Sequence, residues 1–289
     1  MTIEPIEIAA NGFTFTGRAA GPADGRLVLL LHGFPQTSLA WRHQLETLAG
    51  AGYRAVAFDQ RGYSRGARPA AVDQYAVGHL VADVVAVADA LGATSFDLVG
   101  HDWGAMVAWM VASLHPGRVR TLSAVSVPHP AAFAAALRDD PDQRQRSAYV
   151  AVFRRPGMAE DALLDNDCAG LRMLFSSTGL PESSTADGAV DEYVSVLSRP
   201  DALTSALNWY RATPLEAAGQ VGPVTVATLF VWSDGDVAVG RAAADGCAAQ
   251  VSGPYRFEAL PGISHWIPEH APDALNSLLL EHLEAHPTA

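Results

Sequence analysis

Between residues 95 and 114 a short apolar run, Ser95-Phe96-Asp97-Leu98-Val99, passes into a longer one through Gly100-His101-Asp102-Trp103-Gly104. The first run has the length of a buried strand and the second, residues 105–114, that of a buried helix, so the junction is a sharp strand-to-helix turn. The apex of such a turn takes a strained backbone conformation, and its neighbours pass close to the crossing chain, which calls for small residues on either side. Gly100 and Gly104 flank Asp102 in that way. Its carboxylate would then stand at the carboxyl end of a strand, beside a helix N-terminus that favours negative charge. Asp102 is therefore a candidate nucleophile; the competing expectation is that it merely caps the helix beginning at Trp103.

The flanking sequence extends this constraint to the whole chain. Strand-like runs fall at residues 4–8, 13–18, 26–31, 53–58, 95–99 and 120–126, and again at 225–232 and 255–260. Leu80, Val84, Val87 and Leu91 recur at helical spacing, predicting an amphipathic helix over 74–91, and Leu275, Leu278, Leu279 and Leu283 mark a closing helix. Strands alternating with helices give the α/β class, a mostly parallel central sheet flanked by helices. Residues 130–217 break the pattern with helix-length stretches and no clear strand, bounded by the helix breakers Pro128-His129-Pro130 and Thr213-Pro214. The expected organisation is a discontinuous core domain, 1–129 and 218–289, carrying a helical domain at 130–217.

Composition excludes several function classes. A net charge of -12 disfavours nucleic acid and anionic membrane surfaces as partners. All 19 basic residues are Arg, which removes Schiff-base chemistry and a P-loop lysine. Cys168 and Cys247 lie far apart without metal-ligand spacing and read as small buried hydrophobes in a reducing compartment. No apolar run approaches the roughly 20 residues of a membrane span, and residues 1–8 alternate like a strand rather than a secretion signal, so a cytoplasmic location is expected. Neither paired ligand spacing nor a glycine-rich dinucleotide fingerprint is present, so no metal or cofactor is expected.

A carboxylate nucleophile needs a base to complete turnover. Gly262-Ile263-Ser264-His265-Trp266 follows the last strand, where side chains point over the carboxyl edge of the sheet, and His265 is the best placed of the ten histidines. An orienting acid is expected in Trp232-Ser233-Asp234-Gly235-Asp236. Asp236 is preferred, as the start of the next helix, over Asp234 within the turn; either carboxylate can orient His265. After the third strand, His32-Gly33-Phe34-Pro35 offers the Phe34 N–H, which with the Trp103 N–H would make an oxyanion hole. His32, Asp59 and Arg61 read as structural hydrogen-bonding residues.

With these motifs assembled, the chain resembles the α/β-hydrolase superfamily over nearly its full length, and within it the soluble epoxide hydrolases. Asp59-Gln60-Arg61-Gly62-Tyr63-Ser64 and Ser126-Val127-Pro128-His129 complete the matching set. The resemblance implies that Tyr210, in Leu207-Asn208-Trp209-Tyr210-Arg211, and more loosely Tyr149 donate hydrogen bonds to an epoxide oxygen from a helical cap. It further implies a small apolar epoxide and water as substrates, Asp102 forming an ester, and His265 activating water against it. Monomer and homodimer both stay open. A haloalkane dehalogenase, with the same Asp nucleophile followed by Trp, is the rival within the superfamily; a non-catalytic hydrolase-fold binding protein is the rival outside enzymes.

Overall fold

The computed structural model describes residues 2–213 and 221–287. Eight strands, β1 (Glu4–Ala10), β2 (Phe13–Ala20), β3 (Leu27–Leu31), β4 (Arg54–Phe58), β5 (Phe96–His101), β6 (Val119–Val125), β7 (Ala227–Ser233) and β8 (Tyr255–Leu260), form one sheet. Their order is β1-β2-β4-β3-β5-β6-β7-β8, with β2 antiparallel to β1 and β4 and every other pair parallel. The sheet is thus the mostly parallel one expected, with strand ends displaced by a residue or two from the sequence pattern.

β3 shows why the central strands are apolar on both faces. Leu29 and Leu31 pack into one core layer with α2 (Val77–Ala90) and α3 (Trp103–Leu114), whose first-numbered neighbour α1 (Arg42–Gly50) lies in the opposite layer. Val28 and Leu30 point into that opposite layer, closed by α1 and the C-terminal helix. A parallel strand covered by helices on both sides has no solvent face to keep polar.

The single helix expected over 74–91 is interrupted. A 3-10 turn at Val72–Tyr75 is separated from α2 by Ala76, whose backbone is extended at ψ 142. Tertiary hydrogen bonds override the helical periodicity: Arg61 Nη1 donates to the Gln74 carbonyl at 2.8 Å and Tyr75 Oη to the Pro69 carbonyl at 2.7 Å. Arg61 itself is buried and pairs through two donors with Asp83, both at 2.7 Å, while Asp59 accepts from the Ser38 N–H and Thr16. Both residues are structural partners as expected, though not of each other.

Between β6 and β7 the chain runs through α4 (Pro130–Asp139), α5 (Pro141–Arg146), α6 (Val150–Phe153), α7 (Met158–Ser177), α8 (Glu182–Ala186), α9 (Ala189–Leu197) and α10 (Ala202–Ala212). α7 is two helices broken where Asn166, Asp167 and Cys168 take φ of 49, 56 and 62. No strand occurs in this stretch among the described residues. The breaker Pro214 and the 217/218 boundary lie outside the described residues. The C-terminal part adds α11 (Arg241–Asp245), α12 (Ile267–His270) and α13 (Pro272–Ala285). Among the described residues no helix is long and apolar enough to cross a membrane. Both cysteines are buried and free.

The topology itself opens a crevice. From β3 the chain moves outward to β4, then returns to place β5 on the other side of β3. The loops leaving the carboxyl ends of β3 and β5 diverge at this switch point, where open α/β sheets hold their ligands.

Candidate active site

Asp102 occupies the apex of the turn between β5 and α3 with φ 52 and ψ -123, a region that side chains rarely adopt. A Cβ on Gly104 would collide with the carbonyl oxygen of Leu31, and one on Gly100 with that of Gly104, so both glycines are sterically required. The Asp102 side chain makes no capping bond to α3. It turns instead toward the loop after β3, where the Phe34 N–H donates to Oδ1 at 2.7 Å. A Cβ on Gly33 would strike that same carboxylate, so the glycine makes the approach possible. The Trp103 N–H lies beside the carboxylate and helps to lower its pKa. Phe34 and Trp103, the two residues whose N–H groups were expected to act together, thus both adjoin the Asp102 carboxylate.

His265 lies on the loop between β8 and α12. Its Nδ1–H donates to Asp236 Oδ2 at 2.8 Å, and its Nε2 lies 3.5 Å from Asp102 Oδ2. Asp234 is exposed and accepts from the Gly262 N–H at 2.6 Å, so of the two acids Asp236 is the partner of His265. The ground expected for that preference is corrected: no helix starts at Asp236, since α11 begins at Arg241. Asp236 is anchored by a turn, its Oδ1 accepting from the N–H groups of Ala238 at 2.7 Å and Val239 at 3.0 Å.

Two further groups, which no sequence pattern marks, hold His265 from behind. The His265 carbonyl accepts from His101 Nε2–H at 2.9 Å and from Ser126 Oγ–H at 2.8 Å. His101 is the neighbour of the apex residue, and burial together with the His265 charge lowers its pKa to about 4, leaving it a neutral donor. His32 is structural as expected: buried, with its pKa lowered by burial, it accepts the Gln60 N–H on Nε2 at 3.1 Å and approaches the Gly33 carbonyl with Nδ1 at 3.0 Å.

Burial opposes ionisation of both central groups, and their mutual attraction outweighs it. For His265 the desolvation is overcome by the Asp236 and Asp102 carboxylates, which raise its pKa to about 10. For Asp102 it is overcome by the His265 hydrogen bond and charge, with smaller help from His101 and the Trp103 N–H, and its pKa falls below the ordinary carboxylate value. The resting pair is an imidazolium and a carboxylate.

Tyr149, at the start of α6, and Tyr210, on α10, meet above Asp102. Their rings are 6.4 Å apart, edge to face. The Trp103 ring stands 4.9 Å from that of Tyr210, edge to face at 87°. Tyr210 is buried, whereas Tyr149 is 39% exposed. Burial first, and then nearby charge or phenol oxygens, lifts both pKa values above that of an ordinary phenol, so both remain protonated donors at neutral pH. Together with Phe34, Phe153, Leu174 and Trp266 they line a mainly apolar cavity of about 250 Å³ that opens on Asp102 and His265. All seven sequence-predicted site residues therefore converge on one place.

The comparisons with known proteins agree with this geometry. Residues 26–272 match the model of the alpha/beta hydrolase fold family, and the chain belongs to that family. It is 34% identical to Epoxide hydrolase A of Mycobacterium tuberculosis and 33% identical to AB hydrolase superfamily protein YfhM of Bacillus subtilis, each over 96% of both chains. Among solved structures it superposes on Epoxide Hydrolase A from Mycobacterium thermoresistibile with a TM-score of 0.86 at 27% identity over 100% of both chains. The Bacillus megaterium epoxide hydrolase in complex with an inhibitor gives a TM-score of 0.88 at 27% identity, covering 96% of this chain and 100% of that one.

Proposed function

We propose that this protein hydrolyses an epoxide to a vicinal diol through an ester on Asp102. The observation that carries the reading is the pair of protonated phenols, Tyr149 and Tyr210, sharing a small apolar cavity with a carboxylate fixed at a strained turn. An opening epoxide develops alkoxide charge, which phenol O–H groups can meet, and the carbon it leaves needs a nucleophile on the far side. We read the helices of 130–217 as a cap that carries the two phenols over a core that carries the nucleophile and base. The buried, unpaired cysteines fit a reducing, cytoplasmic setting.

The proton inventory closes in this scheme. Asp102 Oδ2, the oxygen not held by the Phe34 N–H, attacks a ring carbon; the C–O bond breaks and a tyrosine gives the alkoxide its proton. The phenolate is reprotonated from the His265 imidazolium, which leaves His265 neutral as the ester forms. Neutral His265, held by Asp236, then takes a proton from water as the hydroxide adds to the ester carbon. The oxygen charge of the tetrahedral intermediate falls on the atom held by the Phe34 and Trp103 N–H groups. Collapse expels the diol oxygen, which takes the proton from His265, and the new Asp102 carboxyl returns a proton to the imidazole.

Halide displacement by the same aspartate would use the Trp103 indole N–H against the leaving halide. Two phenols, Tyr149 and Tyr210, face the carboxylate from the other side of the cavity, and donors paired in that way favour the epoxide. A single turnover in oxygen-18 water tests the route: label enters the Asp102 carboxylate first, and label entering the diol directly in that turnover refutes it.

A further inference from the structure

A second, smaller apolar cavity adjoins the first. The two share Asp102, Tyr149, Tyr210 and Ala238, and otherwise have separate linings, so they diverge from the reacting centre. The larger, about 250 Å³, runs past Phe34, Leu174 and Trp266; the smaller, about 30 Å³, ends against Met106, Val127, Phe133 and Val239. An apolar protein cavity of about 150 Å³ holds benzene, and one of about 10–15 Å³ is the least that holds a single water-sized group. The larger branch therefore takes an aryl group or a comparable chain, and the smaller one a methyl.

The walls of the small branch have little room to yield. Met106 comes from α3, Phe133 from α4, and Val239 from the turn anchored on Asp236; they are 3%, 7% and 1% exposed and packed in the main core. Close-packed interiors accommodate added bulk poorly. An epoxide has two ring carbons, and with its oxygen at the phenols and one carbon on Asp102 their substituents must leave in different directions.

We infer that the site selects epoxides bearing one apolar arm up to aryl size on one ring carbon and at most a methyl-sized group on the other. This inference rests on the epoxide-hydrolase reading and narrows it to a substrate class. Met106 and Val239, in this role, set specificity by closing the short branch.

The test compares kcat/KM for diol formation by the intact protein from styrene oxide, trans-1-phenylpropylene oxide and trans-stilbene oxide. One methylene too many in a pocket costs about 10- to 200-fold, so a phenyl in a methyl-sized space costs at least about 100-fold. The expected result is that trans-stilbene oxide lies at least about 100-fold below trans-1-phenylpropylene oxide, and that Met106→Ala narrows this gap at least about tenfold. Val239→Ala, a milder truncation, is measured alongside in case Met106→Ala does not fold. A smaller gap in the natural protein, or a gap unmoved in every folded variant, overturns the inference while leaving epoxide hydrolysis standing. If folded protein forms diol from none of the three, the epoxide reading falls and the inference with it.

Discussion

Replacing Asp102 by Asn keeps the shape of the side chain while removing its charge, as esterification would. In the resting site His265 Nε2 lies 3.5 Å from Asp102 Oδ2, and both side chains are nearly buried. At an effective dielectric of about 20, two unit charges at that separation attract by about 5 kcal/mol. Divided by about 1.4 kcal/mol for each unit of pKa, this is a fall of about 3.5 for the imidazole. From the value near 10 held in the ion pair, His265 would drop to about 6.5 and become a neutral base at pH 7.5. The assay is an NMR titration of ring-labelled histidine, the His265 signal being assigned by its loss in His265→Gln. The expected midpoints are about 10 in the natural protein and about 6.5 in Asp102→Asn. Midpoints within one pH unit of each other would refute the idea that ester formation itself arms the base.

Four further outcomes follow from the same geometry. Tyr149→Phe and Tyr210→Phe should each slow ring opening by about 100-fold or more, the typical effect of losing a preorganised donor, measured as the rate of ester formation in rapid-quench experiments. Trp103→Ala removes the ring that packs edge to face on Tyr210; such an aromatic pair is worth about 0.5–1.5 kcal/mol, so ring opening should slow by about 2- to 12-fold while ester hydrolysis is unchanged. Because the His265 pKa is higher folded than unfolded, its ion pairs steady the fold fully below about pH 6.5 and cease to do so as pH passes about 10. The Tm difference between the natural protein and His265→Gln should accordingly be large at pH 6 and close to zero at pH 10.5. Asp83→Ala would strand the buried Arg61 guanidinium and should cost about 3–5 kcal/mol in urea unfolding.

What could be read in the sequence was what depends on local rules. Asp102 was recognisable because a strained apex needs glycines at 100 and 104, and the strands because a five-residue run such as Leu27–Leu31 is apolar throughout when buried on both faces. His265 and Asp236 were legible through their places after successive strands. The resemblance, not the pattern, pointed to Tyr149 and Tyr210, since a tyrosine in an amphipathic helix looks the same whether it packs or donates. Features decided by distant partners left no local trace. The break before α2 depends on Arg61 and Pro69 capturing groups near Tyr75, against a periodicity that favours helix. The hold of Ser126 on the His265 carbonyl spans 139 positions, and Met106 reads as one more apolar residue of a buried helix.

Trp103 ties together the parts that the chain keeps farthest apart. Its backbone leaves the Asp102 apex and its ring packs edge to face on Tyr210 at 4.9 Å, so one residue adjoins the carboxylate with its main chain and the phenol with its side chain. α3 starts at this residue and is buried along most of its length, which leaves the indole little freedom. In the proposed reaction the placing of Tyr210 relative to Asp102 therefore rests in part on the rigid strand-turn-helix unit. α10 is braced on the same unit: the Trp209 indole N–H donates to the Arg61 carbonyl at 2.9 Å, and its ring meets Trp103 edge to face at 5.8 Å. Preorganisation of this kind is effective only if the supporting contacts are themselves packed.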